Sequence, residues 1–174
     1  MFQNYNKLRV LGLFFERPTT ELYLRQISRL TDISPASTKR YLKELQKEEL
    51  ISISRKGLYP TYRAARDMGG FKNLKKWLLP ITLSTFGLID HVVDRCSPDV
   101  IILFGSASRG ADIDTSDIDI AIVSKESELD LGTFEKRLNR KISPLFIGTI
   151  NEVSAELKNN LINGIVLYGY LKVF

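Results

Sequence analysis

The sequence predicts an α+β chain of two parts, and three observations carry that prediction. Residues 1–64 hold three apolar stripes at helical period, followed by two short strand-like runs. Residues 100–123 hold an apolar run, a Gly-Ser turn and an alternating run, the pattern of strand, turn and strand. Charge divides along the same line. Residues 1–64 carry 12 Lys+Arg against 6 Asp+Glu, net +6, whereas residues 99–174 carry 8 against 11, net −3. A basic module joined to an acidic one points to a polyanion partner for the first.

The first element is a helix over residues 5–16, with Leu8, Leu11, Phe14 and Phe15 on its stripe, ended by Arg17-Pro18. A second short helix covers residues 22–30 through Leu24, Ile27 and Leu30, and Asp32 suits the tight connection after it. Ser34-Pro35 reads as an N-cap and an N1 proline, opening a third helix that runs to about Glu48. Thr38, Tyr41, Leu42 and Leu45 face inward, while Ser37, Lys39, Arg40, Lys43 and Lys47 face outward. Residues 50–54 alternate as a strand, Arg55-Lys56-Gly57 forms a basic hairpin tip, and residues 58–64 return, with Pro60 confining them to an edge.

Three helices followed by a hairpin resemble the winged helix-turn-helix DNA-binding family, most closely over YLRQISRLTDISPASTKRYLKELQKEELI and the hairpin that follows. The resemblance implies double-stranded DNA as partner, with the third helix in the major groove and the hairpin against the backbone or minor groove. It matches Lys39, Arg40 and Lys43 to reading-helix positions and Arg55 and Lys56 to the wing, and Ser37 and Lys47 on the same outer face join them as candidate DNA contacts. Winged-helix regulators are frequently dimers, so a homodimer is expected. The alternative is a module of this shape used only for protein contacts, its lysines forming a solvated face.

Gly69-Gly70 marks the best boundary, giving domains at 1–66 and 99–174 with a helical connector at 67–98. The connector reads as a helix over residues 71–79 broken at Pro80 and a second helix over residues 81–96, closed by Ser97-Pro98. His91 is the only histidine, and with no second His or Cys nearby it fits a surface role better than a metal or base role.

The chemistry is concentrated in VIILFGSASRGADIDTSDIDIAIV. Val100-Ile101-Ile102-Leu103-Phe104 is a β-branched, buried strand running into Gly105-Ser106, where the lack of a Cβ lets backbone approach a ligand. A helical turn beginning at Ala107 would offer amides to an anion. In the second strand, period two puts Asp117 and Asp119 on one face beside the Gly-Ser turn. Two adjacent carboxylates repel unless a cation lies between them, and hard oxygens near a phosphate-binding turn suit Mg²⁺.

Gly105-Ser106, ten residues, then Asp117-x-Asp119 resembles the signature of the DNA polymerase β-like nucleotidyltransferases, in particular the minimal nucleotidyltransferases. The resemblance implies a mixed sheet flanked by helices and Mg²⁺-dependent transfer of a nucleoside monophosphate from a nucleoside triphosphate to an acceptor. Asp117 and Asp119 would hold metal as the catalytic pair, and Gly105, Ser106 and Arg109 would hold the triphosphate. It also implies a third carboxylate on a later strand, and residues 141–147, KISPLFI, contain none. Ser143 is the position aligned with that acid, and Glu126, Asp130 and Glu152 are the acids that could substitute. The rival reading is a transcriptional regulator or antitoxin-like protein whose nucleotidyltransferase fold is degenerate, acting on a partner toxin-like protein.

Beyond the signature, residues 131–139 read as a helix, Thr149-x-x-Glu152 as a capping box opening another, Asn163-Gly164 as its end and residues 165–170 as a last strand. No secretory pattern and no bilayer-length apolar stretch are legible, and one cysteine, Cys96, excludes an internal disulfide. A cytoplasmic protein with no membrane partner is expected.

Overall fold

The computed structural model describes residues 6–172 and divides into two compact units, the boundary falling within one helix, between Lys75 and Lys76. The expected helix start at Tyr5 lies outside the described residues.

In the first unit, α1 (Asn6–Glu16), α2 (Leu24–Thr31) and α3 (Pro35–Lys47) pack on one another and on a three-stranded antiparallel sheet. That sheet has the order β1 (Leu22–Tyr23), β3 (Thr61–Ala64), β2 (Ile51–Ser54). Leu22 and Tyr23 were expected to open the second helix; they pair instead with Tyr62 and Thr61. Leu22 is buried in this arrangement, and the Tyr23 amide donates to the Gln26 side chain, which starts α2 one residue later. Asp32 holds the left-handed turn at φ 49°, and Ser34 caps α3 by accepting from the Ser37 amide at 3.3 Å. Phe14, Ile27, Leu42 and Leu45 form the centre of the core. The buried hydroxyls of Ser28 and Thr38 both donate to the Ile33 carbonyl, fixing the turn between α2 and α3.

Helix α4 (Gly69–Thr85) carries Pro80 in its interior, so the break expected there is absent. A proline in a helix interior costs about 3 kcal/mol. Burial on both sides of it offsets that cost: Phe71 packs its ring at a tilt against Phe15, 4.8 Å between centroids, and Leu83 is fully buried in the second unit. The interruption falls instead at Gly87, whose φ of 77° ends the run before α5 (Leu88–Cys96).

The second unit is a four-stranded mixed sheet in the order β6 (Ile142–Ile147), β5 (Ile118–Val123), β4 (Val100–Leu103), β7 (Ile165–Gly169). β4 is antiparallel to β5 and β7, and β5 is parallel to β6. Both faces are covered, which explains the continuous apolar runs. Ile101, Leu103, Ile118, Ile120 and Ile122 pack with Leu88, Ile89 and Val92 of α5. Val100, Ile102, Ala121 and Val123 pack on the other side with Ile150 and Leu161. α6 (Gly132–Leu138) matches its predicted span, and α7 (Ala155–Ile162) ends at the expected Asn163-Gly164. The start of α7 differs: Ile150-Asn151 form a turn closed by the Glu152 amide donating to the Thr149 carbonyl, with Ile150 buried, and Ser154 is the cap, accepting from the Leu157 amide at 3.3 Å. Among the described residues no helix is long and apolar enough to cross a membrane.

Candidate functional site

The strand period places Asp117 and Asp119 on the β5 face that also carries Ala121 and Val123, at the end of the strand where β4 leaves the sheet. The main chain joins the two motifs directly, the Phe104 amide donating to the Asp119 carbonyl at 3.0 Å. Gly105 follows at φ +71°, a conformation that other residues rarely adopt. A Cβ there would lie 2.3 Å from Asp119 Oδ2, so the carboxylate occupies the space that the glycine leaves free. Ala107–Arg109 form a single 3₁₀ turn, closed by bonds from the Arg109 and Ala111 amides to the Ser106 carbonyl and ended by Gly110 at φ 65°. Ser108 Oγ donates to the Gly105 carbonyl at 3.0 Å and stiffens the turn. Arg109 is exposed at its end.

The two carboxylates differ in environment. Asp117 is exposed and accepts from Ser143 Oγ at 3.3 Å. Asp119 is half-buried, and its carboxyl is pushed above the usual range by burial first and by the charge of Asp117 second, against the pull of Arg140. A divalent cation between them would relieve that repulsion.

Ser143 pairs with Asp119 in the parallel β5–β6 register, so the aligned position on β6 borders the site but brings a hydroxyl rather than an acid. Two of the acids that could substitute are engaged elsewhere. Asp130 Oδ1 accepts from the Gly132 amide, and Glu152 folds over Gly148. Among the described residues no group of three or more His, Cys, Asp or Glu is arranged to hold a metal ion. The donor set is therefore two hard oxygen ligands. It fits Mg²⁺ that completes its octahedron with phosphate oxygens and water, and not a cage built from protein alone.

Residues 88–171 match the family model described as Polymerase beta, Nucleotidyltransferase. The match spans α5 to β7 and includes both motifs. Neither the curated proteins nor the solved structures give a significant match. Within the matched residues, Arg140 and Asp112 lie beside the two aspartates without belonging to either motif. Arg140, just before β6, pairs with Asp112 at 2.7 Å, the two side chains being only 15% and 4% exposed. The same guanidinium donates to the carbonyls of Ser116 and Asp117 at 2.8 and 3.1 Å. Nothing in their local spacing signals this, because the pair closes over 28 residues.

In the first unit, Lys39, Arg40, Lys43 and Lys47 are exposed on α3, while Ser37 is half-buried in the helix cap. Arg40 lies over the Tyr41 ring, donates to its hydroxyl at 2.9 Å, and reaches Glu44 at 3.9 Å. Arg55 and Lys56 are exposed at the hairpin tip, bordering a groove on the open sheet face with Tyr23, Tyr59 and Arg63. The last three carry no motif; the strand register places Tyr23 and Arg63, and Tyr59 comes from the bend just before β3.

Proposed function

We propose that the second unit binds a nucleoside triphosphate with Mg²⁺ at Asp117 and Asp119 and transfers its nucleoside monophosphate to an acceptor. The first unit, in this reading, is a winged helix that holds the chain on double-stranded DNA. The observation that carries the proposal is the Asp119 carboxylate seated against Gly105 with Asp117 beside it. Bound Mg²⁺ would neutralise charge on the triphosphate. The chain's own residues do the rest. Asp117 and Asp119 fix the nucleotide's register, the Gly105-Ser106 turn lets the phosphates approach the backbone, and Arg109 adds a cation at the rim. The order of helices and strands in the first unit, with the exposed cations of α3 and the hairpin tip, supports the DNA half.

Ser143 favours a second reading. With a hydroxyl where a third carboxylate is implied, the unit binds nucleotide but transfers it slowly or not at all. The chain is then a regulator or antitoxin-like protein whose nucleotidyltransferase fold senses a ligand or docks a toxin-like partner. Incubating the full chain with α-labelled nucleoside triphosphates and cell extract separates the two. Label transfer by wild type and none by Asp117→Asn/Asp119→Asn supports the enzyme. Transfer only after Ser143→Asp supports the degenerate reading, and no label on any acceptor from either chain overturns the enzymatic one.

A further inference from the structure

We infer that Arg140 is the positioning residue of the Asp117/Asp119 site, bracing through its ion pair with Asp112 the main chain that presents the two carboxylates. The inference rests on the metal–nucleotide reading of those aspartates and goes beyond it in naming what holds them in place. Arg140 is itself held at both ends. Asn139 ends α6 in the left-handed conformation at φ 50°, and the Arg140 amide then bonds back to the Glu135 carbonyl at 3.2 Å. The next turn is fixed by Glu135 Oε1, which accepts from the Ile142 amide, and by the Lys141 carbonyl, which accepts from the Ile118 amide.

From that base the guanidinium reaches three acceptors: Asp112 Oδ2, the Ser116 carbonyl and the Asp117 carbonyl. Those acceptors bracket residues 112–117, the loop that carries the chain into β5. Within the loop, Ile113 and Ser116 are tied to each other by two further bonds at 3.0 Å. Asp117 is exposed, so its side chain gains little order from packing; its main chain is ordered by Arg140. β6 brings no acid to this face, only the Ser143 hydroxyl on the Asp117 carboxylate, so the main chain at Asp117 takes its order from the brace while Asp119 is seated against Gly105. A rigid fork of donors suits the task. A lysine ammonium can keep the pair with Asp112 but cannot span three acceptors spread along six residues.

The test uses the full chain with three variants, Arg140→Lys, Arg140→Gln and Asp112→Asn/Arg140→Gln, the last removing both charges in case Arg140→Gln alone does not fold. Mg–ATP affinity by calorimetry, the urea midpoint and amide hydrogen exchange over residues 112–119 are measured on each. Arg140→Gln and the double variant are expected to bind Mg–ATP about tenfold more weakly or worse. Arg140→Lys should recover the urea midpoint through the Asp112 pair, yet stay about tenfold weak and exchange faster over residues 112–119. That separation of affinity from stability is what a purely structural arginine cannot produce. Affinity that returns in step with stability in Arg140→Lys overturns the inference alone. Wild-type chain that binds no Mg–ATP overturns the site reading, and this inference with it.

Discussion

Gly105 is where a single atom decides the site. Replacing it with alanine places a Cβ 2.3 Å from Asp119 Oδ2 and imposes φ +71° on an L-residue. Gly105→Ala should therefore cost at least about 1 kcal/mol in the urea-derived stability and weaken Mg–ATP binding, since the carboxylate must move. Asp119 sets the pH dependence. Burial and Asp117 raise its carboxyl above the unfolded value, so the folded chain holds that proton more tightly. Stability from this group is then greatest in acid and falls as pH rises from the ordinary carboxylate range through the raised value. Asp119→Asn should flatten that limb of a urea-midpoint-against-pH curve and, without metal, be no less stable than wild type at neutral pH. A variant that is less stable there contradicts the assigned environment. The Gly105, Asp117 and Asp119 cluster was legible because its spacing and period are local. Arg140 and Asp112 are not: neither belongs to a motif, and only the fold brings them together across a separation of 28 residues.

At the level of elements, the start of α7 gives a contrast that a mutation pair can read. Ser154 accepts from the Leu157 amide, whereas Thr149 sits in the preceding turn. Ser154→Ala should cost about 1 kcal/mol, and Thr149→Ala a small fraction of that, by chemical denaturation. Equal costs would return the cap to Thr149. The central strands were legible because both faces of β4 and β5 are buried and the apolar runs are correspondingly dense. Shorter or conflicting signals were not. β1 is two residues long and exists only through its pairing with β3, so no periodicity can announce it. Pro80 is a strong local breaker, but the burial of Phe71 and Leu83 on either side of it outweighs that preference, and Gly87 ends the helical run instead.

Across the whole molecule, the two halves differ in charge as they differ in proposed ligand. If the net +6 of residues 1–64 serves duplex DNA, full-chain affinity in a mobility-shift series should fall steeply with salt. Lys39→Ala/Lys43→Ala should lower the log–log slope by about 0.9 for each phosphate that the variant no longer neutralises. Salt-independent or undetectable binding would instead make that basic face a solvated one. The proposed activity of the second unit requires that two carboxylates and a glycine turn hold a metal-bound nucleotide. Calorimetric titration of Mg–ATP into the wild-type chain and into Asp117→Asn/Asp119→Asn tests it most directly. Saturable binding to wild type is expected, absent without Mg²⁺ and abolished in the double variant. Unchanged binding in the double variant would contradict that requirement.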